Sequence, residues 1–466
     1  MDRYTFRLKE LRMTDFMSVE YGRISFSDID KEYDKEDMSL HSSVTGIYGI
    51  NGSGKTTVVK AVQIFLDAIW IKGNKEAYLN APSIFRKNNN KGDEDLCLVR
   101  NGCDYANLSF TFHVLYDEIP AHKLITYSFS FRMNPDMDIF DETVVVTDSD
   151  NRKETVFFSG KFLADREYAE SFLNGIVNDD GNEKLKKLVD AHSVLDQKRK
   201  KDRLFLYQLI STIGEDSISS VNGRLLVSFR HEMCANLIPF DETLISKIRG
   251  KENDVLFLLG YYVSHATGKI MSSWLRVSDG RITSDAPSSP EEQEGLERVV
   301  NGINQVVDVI LKDTHLVVSQ DQENGGYYLK VQKDNGIIVP FCDESYGTSK
   351  IIVFTLYLSL LFVRPGMILV IDEFDEGLFE YLLGKILKVI EENAQGQLIF
   401  TAHNLRPLEV LPHDCIRFAI PNESNRKNVK NLYRKLKKTN SNSNLREVYY
   451  RFQRGNNNLG SEDEFD

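Results

Sequence analysis

The sequence predicts an α/β fold: a mixed sheet that carries a phosphate-binding loop, an antiparallel β subdomain beside it, and a helical insertion between the two halves. Three stretches predict it. Gly49-Ile50-Asn51-Gly52-Ser53-Gly54-Lys55-Thr56 fits G-x-x-x-x-G-K-[ST] and lies between the largely apolar run 44–48 and a helical run over 58–70. Residues 367–373 form a continuous apolar strand ending in Asp372-Glu373, the pattern of a parallel strand covered on both faces. Gln397-Leu398-Ile399-Phe400-Thr401-Ala402-His403-Asn404 repeats that pattern with a histidine just beyond the strand.

The other elements follow in order. Phe6, Leu8 and Leu11, then the alternating Gly22-Arg23-Ile24-Ser25-Phe26, read as two strands. A polar, acidic connection over 27–43 leads into the phosphate loop. Asn88-Asn89-Asn90-Lys91-Gly92 marks a break. Strand signals at 107–114, 124–133, 143–147 and 155–158 predict an antiparallel meander. From 160 to 271 the pattern turns helical, as in Leu185-Lys186-Lys187-Leu188-Val189 and across 204–210, without a sustained heptad. Residues 278–294, rich in Ser, Pro, Asp and Glu, read as a linker. Strands return at 315–319, 326–332 and 336–341, and an apolar helix spans 351–363. The expected division is 1–159, the first part of the head with the phosphate loop and β subdomain; 160–300, helical insertion and linker; 301–420, the second part of the head; and 421–466, a basic then acidic tail.

Composition narrows the partners. The chain has 466 residues, 41% hydrophobic and 27% charged, enough for a large core and two or three domains. A net charge of −12 disfavours non-specific nucleic-acid binding, so any such contact needs a local basic patch. The candidate patch is 424–454, centred on Tyr433-Arg434-Lys435-Leu436-Lys437-Lys438, with Tyr449, Tyr450 and Phe452 among later arginines. It reads as a solvated surface or flexible segment, a nucleic-acid contact, or a dock for an acidic partner. Cys97, Cys103, Cys234, Cys342 and Cys415 are odd in number and lack zinc spacing, which fits a reducing cytoplasm. The amino terminus has no apolar signal core, and the run 351–363 is too short to span a bilayer, so no membrane segment is expected.

The chemistry follows from residue types. The backbone N–H groups of Asn51, Gly52, Ser53, Gly54, Lys55, Thr56 and Thr57 are placed to cradle phosphates at a helix N-terminus. The Lys55 ammonium reaches the β- and γ-phosphates, and the Thr56 hydroxyl and Asp372 are the candidate Mg²⁺ ligands. Glu373 is the natural base for an attacking water. By itself a strand ending in Asp-Glu is common, and the phosphate loop upstream is what gives this one meaning. His403 follows a strand end, where ligands of open α/β sheets bind, although a histidine there also serves structure. Ser345 and Gly347 stand at the start of an apolar helix, where they either hold an anion or cap the helix.

The order of these pieces resembles the ABC-type ATPase heads of the RecF, SMC and Rad50 group. Leu8-Lys9-Glu10-Leu11-Arg12-Met13-Thr14-Asp15-Phe16 looks like that group's first strand and turn, with Asp15 where an Asn is frequent. Glu344-Ser345-Tyr346-Gly347-Thr348 replaces the usual signature and is similar to the E-S-x-G-T form of abortive-infection and OLD-like ATPases of bacterial phage defence. Ile371-Asp372-Glu373-Phe374-Asp375-Glu376-Gly377-Leu378 looks like the same branch. The resemblance implies an ATPase using ATP and Mg²⁺, with His403 as the switch histidine on the γ-phosphate. It implies that Ser345 and Gly347 act across a homodimer of heads or a higher oligomer, and that Asp375 couples the two sites. Neither coiled-coil arms nor a Toprim domain after His403 is expected. The implied role is therefore that of a stand-alone defence ATPase, most similar to the ATPase subunit of PARIS systems and next to those of Septu-like systems. Such a subunit answers to a phage protein and controls a separate effector, a Toprim or HNH nuclease. The alternative is a RecF-like repair or chromosome-maintenance ATPase, which DNA-stimulated turnover would distinguish.

Overall fold

The computed structural model describes residues 4–34, 36, 39–69, 97–116, 119–134, 136–148, 152–177, 200–240, 255–256, 276–278, 281–283, 294, 297, 300–301, 304, 307–308, 311, 313–320, 327–340, 343–420, 431–436 and 444–453. Of three six-stranded sheets among them, two position the site. The first holds β1 (Tyr4–Phe16), β2 (Val19–Ser25), β4 (Ala106–Tyr116), β5 (Ile119–Asn134), β6 (Asp136–Thr147) and β7 (Lys153–Phe158), in the order β2-β1-β4-β5-β6-β7. Every pairing in it is antiparallel, so the expected meander is present.

The second sheet holds β3 (Ser43–Tyr48), β8 (Leu237–Phe240), β9 (Ile368–Ile371), β10 (Gln397–Thr401), β11 (Ile416–Ala419) and β12 (Tyr433–Arg434), in the order β8-β9-β10-β3-β11-β12. The first five run parallel, and β12 closes the edge antiparallel. The register pairs Ile371 with Phe400 and Thr401 with Ile47, so β3, β9 and β10 end side by side. Their unbroken burial is what a two-sided parallel sheet demands. This is the α/β class expected, a mostly parallel sheet beside an antiparallel one.

Helix α1 (Lys55–Ile69) lies between the sheets, buried along most of its length. Phe65 stacks on Phe110 of β4 at 4.4 Å, while the other side of the helix packs on β8 and β9. Burying Phe65 contributes about 2–3 kcal/mol. Polar groups then lock one sheet to the other. The Gln397 amide of β10 accepts from Leu8 N at 3.0 Å and donates to Leu8 O at 2.7 Å, acting as a strand partner for β1. The fully buried Arg7 pairs with Glu32 at 2.6 Å and donates to the carbonyls of His41, Pro365 and Gln395.

The stretch 160–300 is not helical throughout. Helices α2 (Phe205–Ile213) and α3 (Val221–Asn236) form, but the chain then enters the second sheet as β8. Pro239 is tolerated because β8 is an edge strand. At the start of the span read as a linker, Arg276–Ser278 and Arg281–Thr283 pair as a hairpin and join a third sheet containing Thr314–Gln320, Tyr327–Lys333 and Ile338–Pro340. The helical reading of 185–189 and Cys342 fall outside the described residues. Helix α4 (Tyr346–Val363) begins earlier than expected because Ser345 caps it, accepting from Thr348 N at 3.1 Å. Helix α5 (Glu380–Asn393) follows β9. Among the described residues no helix is long and apolar enough to cross a membrane. The segment read as a tail contributes β12 and helix α6 (Leu445–Gln453).

One buried group makes the fold pH-sensitive. His113 on β4 is 8% exposed, and burial, then the charges of Lys9 and Arg7 on β1, hold its imidazole down at about 4, against the pull of the Ser27 carbonyl and Asp28. The unfolded chain protonates this group below its ordinary 6.5 while the native state stays neutral. Stability is thus untouched above that pH and falls as pH drops toward 4, by about 3 kcal/mol in all. Urea titrations of wild type and His113→Gln from pH 7.5 to 4 should diverge by that amount. Parallel pH profiles would exclude the imidazole as the cause.

Candidate functional site

The aligned ends of β3, β9 and β10 deliver three sequence-distant segments to one place. From the loop after β3 come Asn51, Gly52, Gly54, Lys55, Thr56 and Thr57; Asp372 and Glu373 follow β9, and His403 follows β10. All nine line a single cavity of about 340 Å³. Gly52 and Gly54 take φ of 76° and 94°, which residues with a Cβ rarely adopt, so the loop can turn its backbone inward. Lys55 is 7% exposed and its ammonium donates to Gly49 O at 2.8 Å and Ile50 O at 3.2 Å. Burial lowers its pKa, opposed by the charges of Asp372, Glu373 and Asp375.

The acidic strand end is fixed by a residue that the motifs do not flag. Thr401 Oγ1 donates to Asp372 Oδ1 at 2.6 Å and accepts from Glu373 N at 2.8 Å, while Thr401 O accepts from Phe374 N. These bonds hold Glu373 at φ 49°, a strained conformation for a non-glycine residue that costs about 1–3 kcal/mol. Thr56 Oγ1 stands 3.4 Å from the same Asp372 oxygen. Asp375 turns back within its own chain, accepting from the backbone N–H of His403 at 3.1 Å and of Asn404 at 2.7 Å. Tyr48 closes the same corner by donating to Asn404 O at 3.0 Å.

A nucleoside triphosphate with a divalent cation fits these groups. An ammonium, a glycine-rich loop and the buried Ser53 hydroxyl, which has no hydrogen-bond partner among the described residues, suit phosphate. The Thr56 hydroxyl and Asp372 carboxylate are the hard oxygen donors Mg²⁺ requires. Ser345 and Gly347 are exposed and lie outside this cavity.

Ser18 and Thr401 also line the cavity and were not legible as site residues. Ser18 sits in the β1–β2 turn, where Asp15 and Met17 both have φ of 51°. Arg100 holds that turn through Asp15 at 2.8 Å. Within 424–454, read as a candidate basic patch, Tyr449 is not available to stack on a base. Tyr449 is 1% exposed and stacks edge-on against Tyr48, because α6 packs on the core instead of trailing into solvent. Lys435 pairs with Asp414 and Arg446 with Glu409. The other basic residues of that patch outside 431–436 and 444–453, and the acidic end at 462–466, lie outside the described residues.

Residues 176–409 match the family model described as "AAA domain, putative AbiEii toxin, Type IV TA system". The match holds the acidic strand end and His403, with the phosphate loop upstream of it. No curated protein matches the chain. Similar solved structures include an SMC head bound to the C-terminal winged-helix domain of ScpA, 13% identical over 89% of this chain and 95% of that one, with a TM-score of 0.40. An SMC head with an extended coiled coil bound to the C-terminal domain of ScpA, from Pyrococcus furiosus, is 14% identical over 89% and 93%, with a TM-score of 0.37. The SMC head domain from Thermotoga maritima is 14% identical over 88% and 94%, with a TM-score of 0.34.

Proposed function

Because this chain belongs to the AAA-domain family of the putative AbiEii toxin, we propose that it binds ATP with Mg²⁺ and hydrolyses it, two copies closing as heads around the nucleotide. The observation that carries this reading is the convergence of Lys55, Thr56, Asp372, Glu373 and His403 on one cavity from three distant segments. Lys55 and the N–H groups of residues 51–57 hold the phosphates. Thr56 and Asp372 would hold Mg²⁺, which when bound offsets charge developing on the phosphate oxygens. Glu373 takes the proton of the attacking water, and His403 is the group for the γ-phosphate. Thr401 keeps the two acids in separate roles by engaging one Asp372 oxygen and the Glu373 backbone. Asp375 steadies the loop that carries His403.

Ser345 and Gly347, exposed at the start of α4, would close over the γ-phosphate in a second copy. Phe379, 84% exposed just after the acidic loop, and Tyr381 offer that contact apolar anchors. In the finer form of the reading the protein is the sensor or scaffold of an anti-phage system like PARIS. Head closure then holds or releases a separate Toprim or HNH nuclease in answer to a phage protein. The family description, a toxin of a toxin–antitoxin system, supports that setting.

Phosphate release and solution mass, each with and without Mg-ATP, test the core of it. Turnover and an ATP-dependent doubling of mass are expected. Ser345→Arg should abolish the doubling and leave ATP affinity of the single head intact. A chain that neither releases phosphate nor doubles would refute the reading.

A further inference from the structure

The segment after β11 reaches the phosphate loop from behind. Asn431 clamps it to β2, accepting from Arg23 N at 2.7 Å and donating to Arg23 O at 2.7 Å. Two residues later the fully buried Tyr433 donates its hydroxyl to Gly54 O at 2.6 Å. Its ring lies over Gly22 of β2, where a Cβ would come within 2.8 Å of it. From α6, Tyr449 donates to Gly49 O at 3.4 Å. Two hydroxyls from one distant segment thus reach the first and last glycines of the loop motif.

Each carbonyl has a specific consequence. Gly54 C=O and Lys55 N–H share one trans peptide plane and point in opposite directions. A hydroxyl that draws the Gly54 carbonyl back therefore aims the Lys55 N–H the other way. Gly49 O also accepts from the Lys55 ammonium at 2.8 Å. When that ammonium turns to a phosphate, the buried carbonyl would be stranded unless a second donor stood by, and a carbonyl has two lone pairs to accommodate one.

We propose that Tyr433 and Tyr449 are positioning residues of the nucleotide site: Tyr433 orients the Gly54–Lys55 peptide toward phosphate, and Tyr449 takes over the Gly49 carbonyl when Lys55 leaves it. The inference rests on the ATP-binding reading for its role, while its mechanical part stands by itself. Burial pushes the Tyr433 phenol well above its usual pKa, so it remains a donor across the working range.

The test compares Tyr433→Phe and Tyr449→Phe with wild type and with Tyr450→Phe, an exposed neighbour on α6. Amide exchange of peptides covering 49–57 is followed in nucleotide-free protein, and affinity is measured with a fluorescent ATP analogue and Mg²⁺. Tyr433→Phe should exchange about tenfold faster in that loop and bind about tenfold more weakly, the weight of one buried hydrogen bond. Tyr449→Phe should leave nucleotide-free exchange near wild type, because Lys55 still satisfies Gly49, yet weaken binding. Tyr450→Phe should change neither. Unchanged exchange and affinity in Tyr433→Phe would overturn the proposal, as would acceleration spread evenly over both sheets. Faster loop exchange in Tyr433→Phe, with no nucleotide binding by wild type, would support the bracing and remove the ATP-binding reading alone.

Discussion

Glu373→Gln is expected to slow ATP hydrolysis by about 10²–10⁴-fold, the usual weight of a positioned base, with ATP binding retained. Glutamine keeps the size of the side chain. It also keeps the backbone N–H that the Thr401 hydroxyl accepts, so the strained turn at the strand end is preserved. Only the capacity to take a proton from water is lost. Closed, ATP-bound heads should then accumulate, since opening follows hydrolysis in a nucleotide-controlled switch. Phosphate release under single-turnover conditions, alongside retained nucleotide by filter binding, reads both halves of this expectation. Wild-type turnover in the variant would remove Glu373 from the base role. A pure loss of binding would instead make it a nucleotide-holding group.

Lys55→Ala should act earlier, on binding. It removes charge-assisted contacts to phosphate worth about 3 kcal/mol, or at least about 100-fold in affinity. The ammonium also satisfies the carbonyls of Gly49 and Ile50, so a truncated side chain disturbs the loop as well as the charge. Lys55→Met keeps the apolar stem and separates the two effects. Equal losses in both variants, with melting temperatures near wild type, place the effect on the charge. Titration calorimetry with Mg-ATP measures it, and undiminished affinity in both variants would show that the cavity does not hold phosphate through this residue.

The parts of the site legible in sequence are those encoded by local pattern. The glycine spacing of 49–56 specifies a backbone shape without reference to the rest of the chain. An apolar strand ending in Asp372-Glu373, and another ending before His403, announce themselves because parallel strands buried on both faces carry no alternation. Since such strands end on one side of the sheet, their terminal residues could be expected together. Helix 205–213 and the meander were legible for the same reason: each has a period.

Thr401, Ser18, Tyr433 and Tyr449 carried no such signal. Thr401 matters because β10 lies beside β9 in a register that sets its hydroxyl between Asp372 and the Glu373 amide. The basic texture of 424–454 masked β12 and α6, whose few buried residues dock on the core while charged neighbours stay at the surface. Asp375 was legible as part of an acidic loop, but its partners, the amides of His403 and Asn404, follow from the β9–β10 pairing.

For this protein, then, the amino-acid order alone determined the glycine-rich loop, the meander, the apolar strands before Asp372-Glu373 and His403, and which side chains suit phosphate chemistry, since each depends on neighbours a few residues away. The tertiary structure alone decided how those side chains are held. Arg7 against the carbonyls of Pro365 and Gln395, Gln397 against β1, and the two tyrosines behind the phosphate loop are bonds across hundreds of residues. Hydrogen bonds act over about 3 Å and have no periodicity along the chain, so they exist only once packing has brought their partners together.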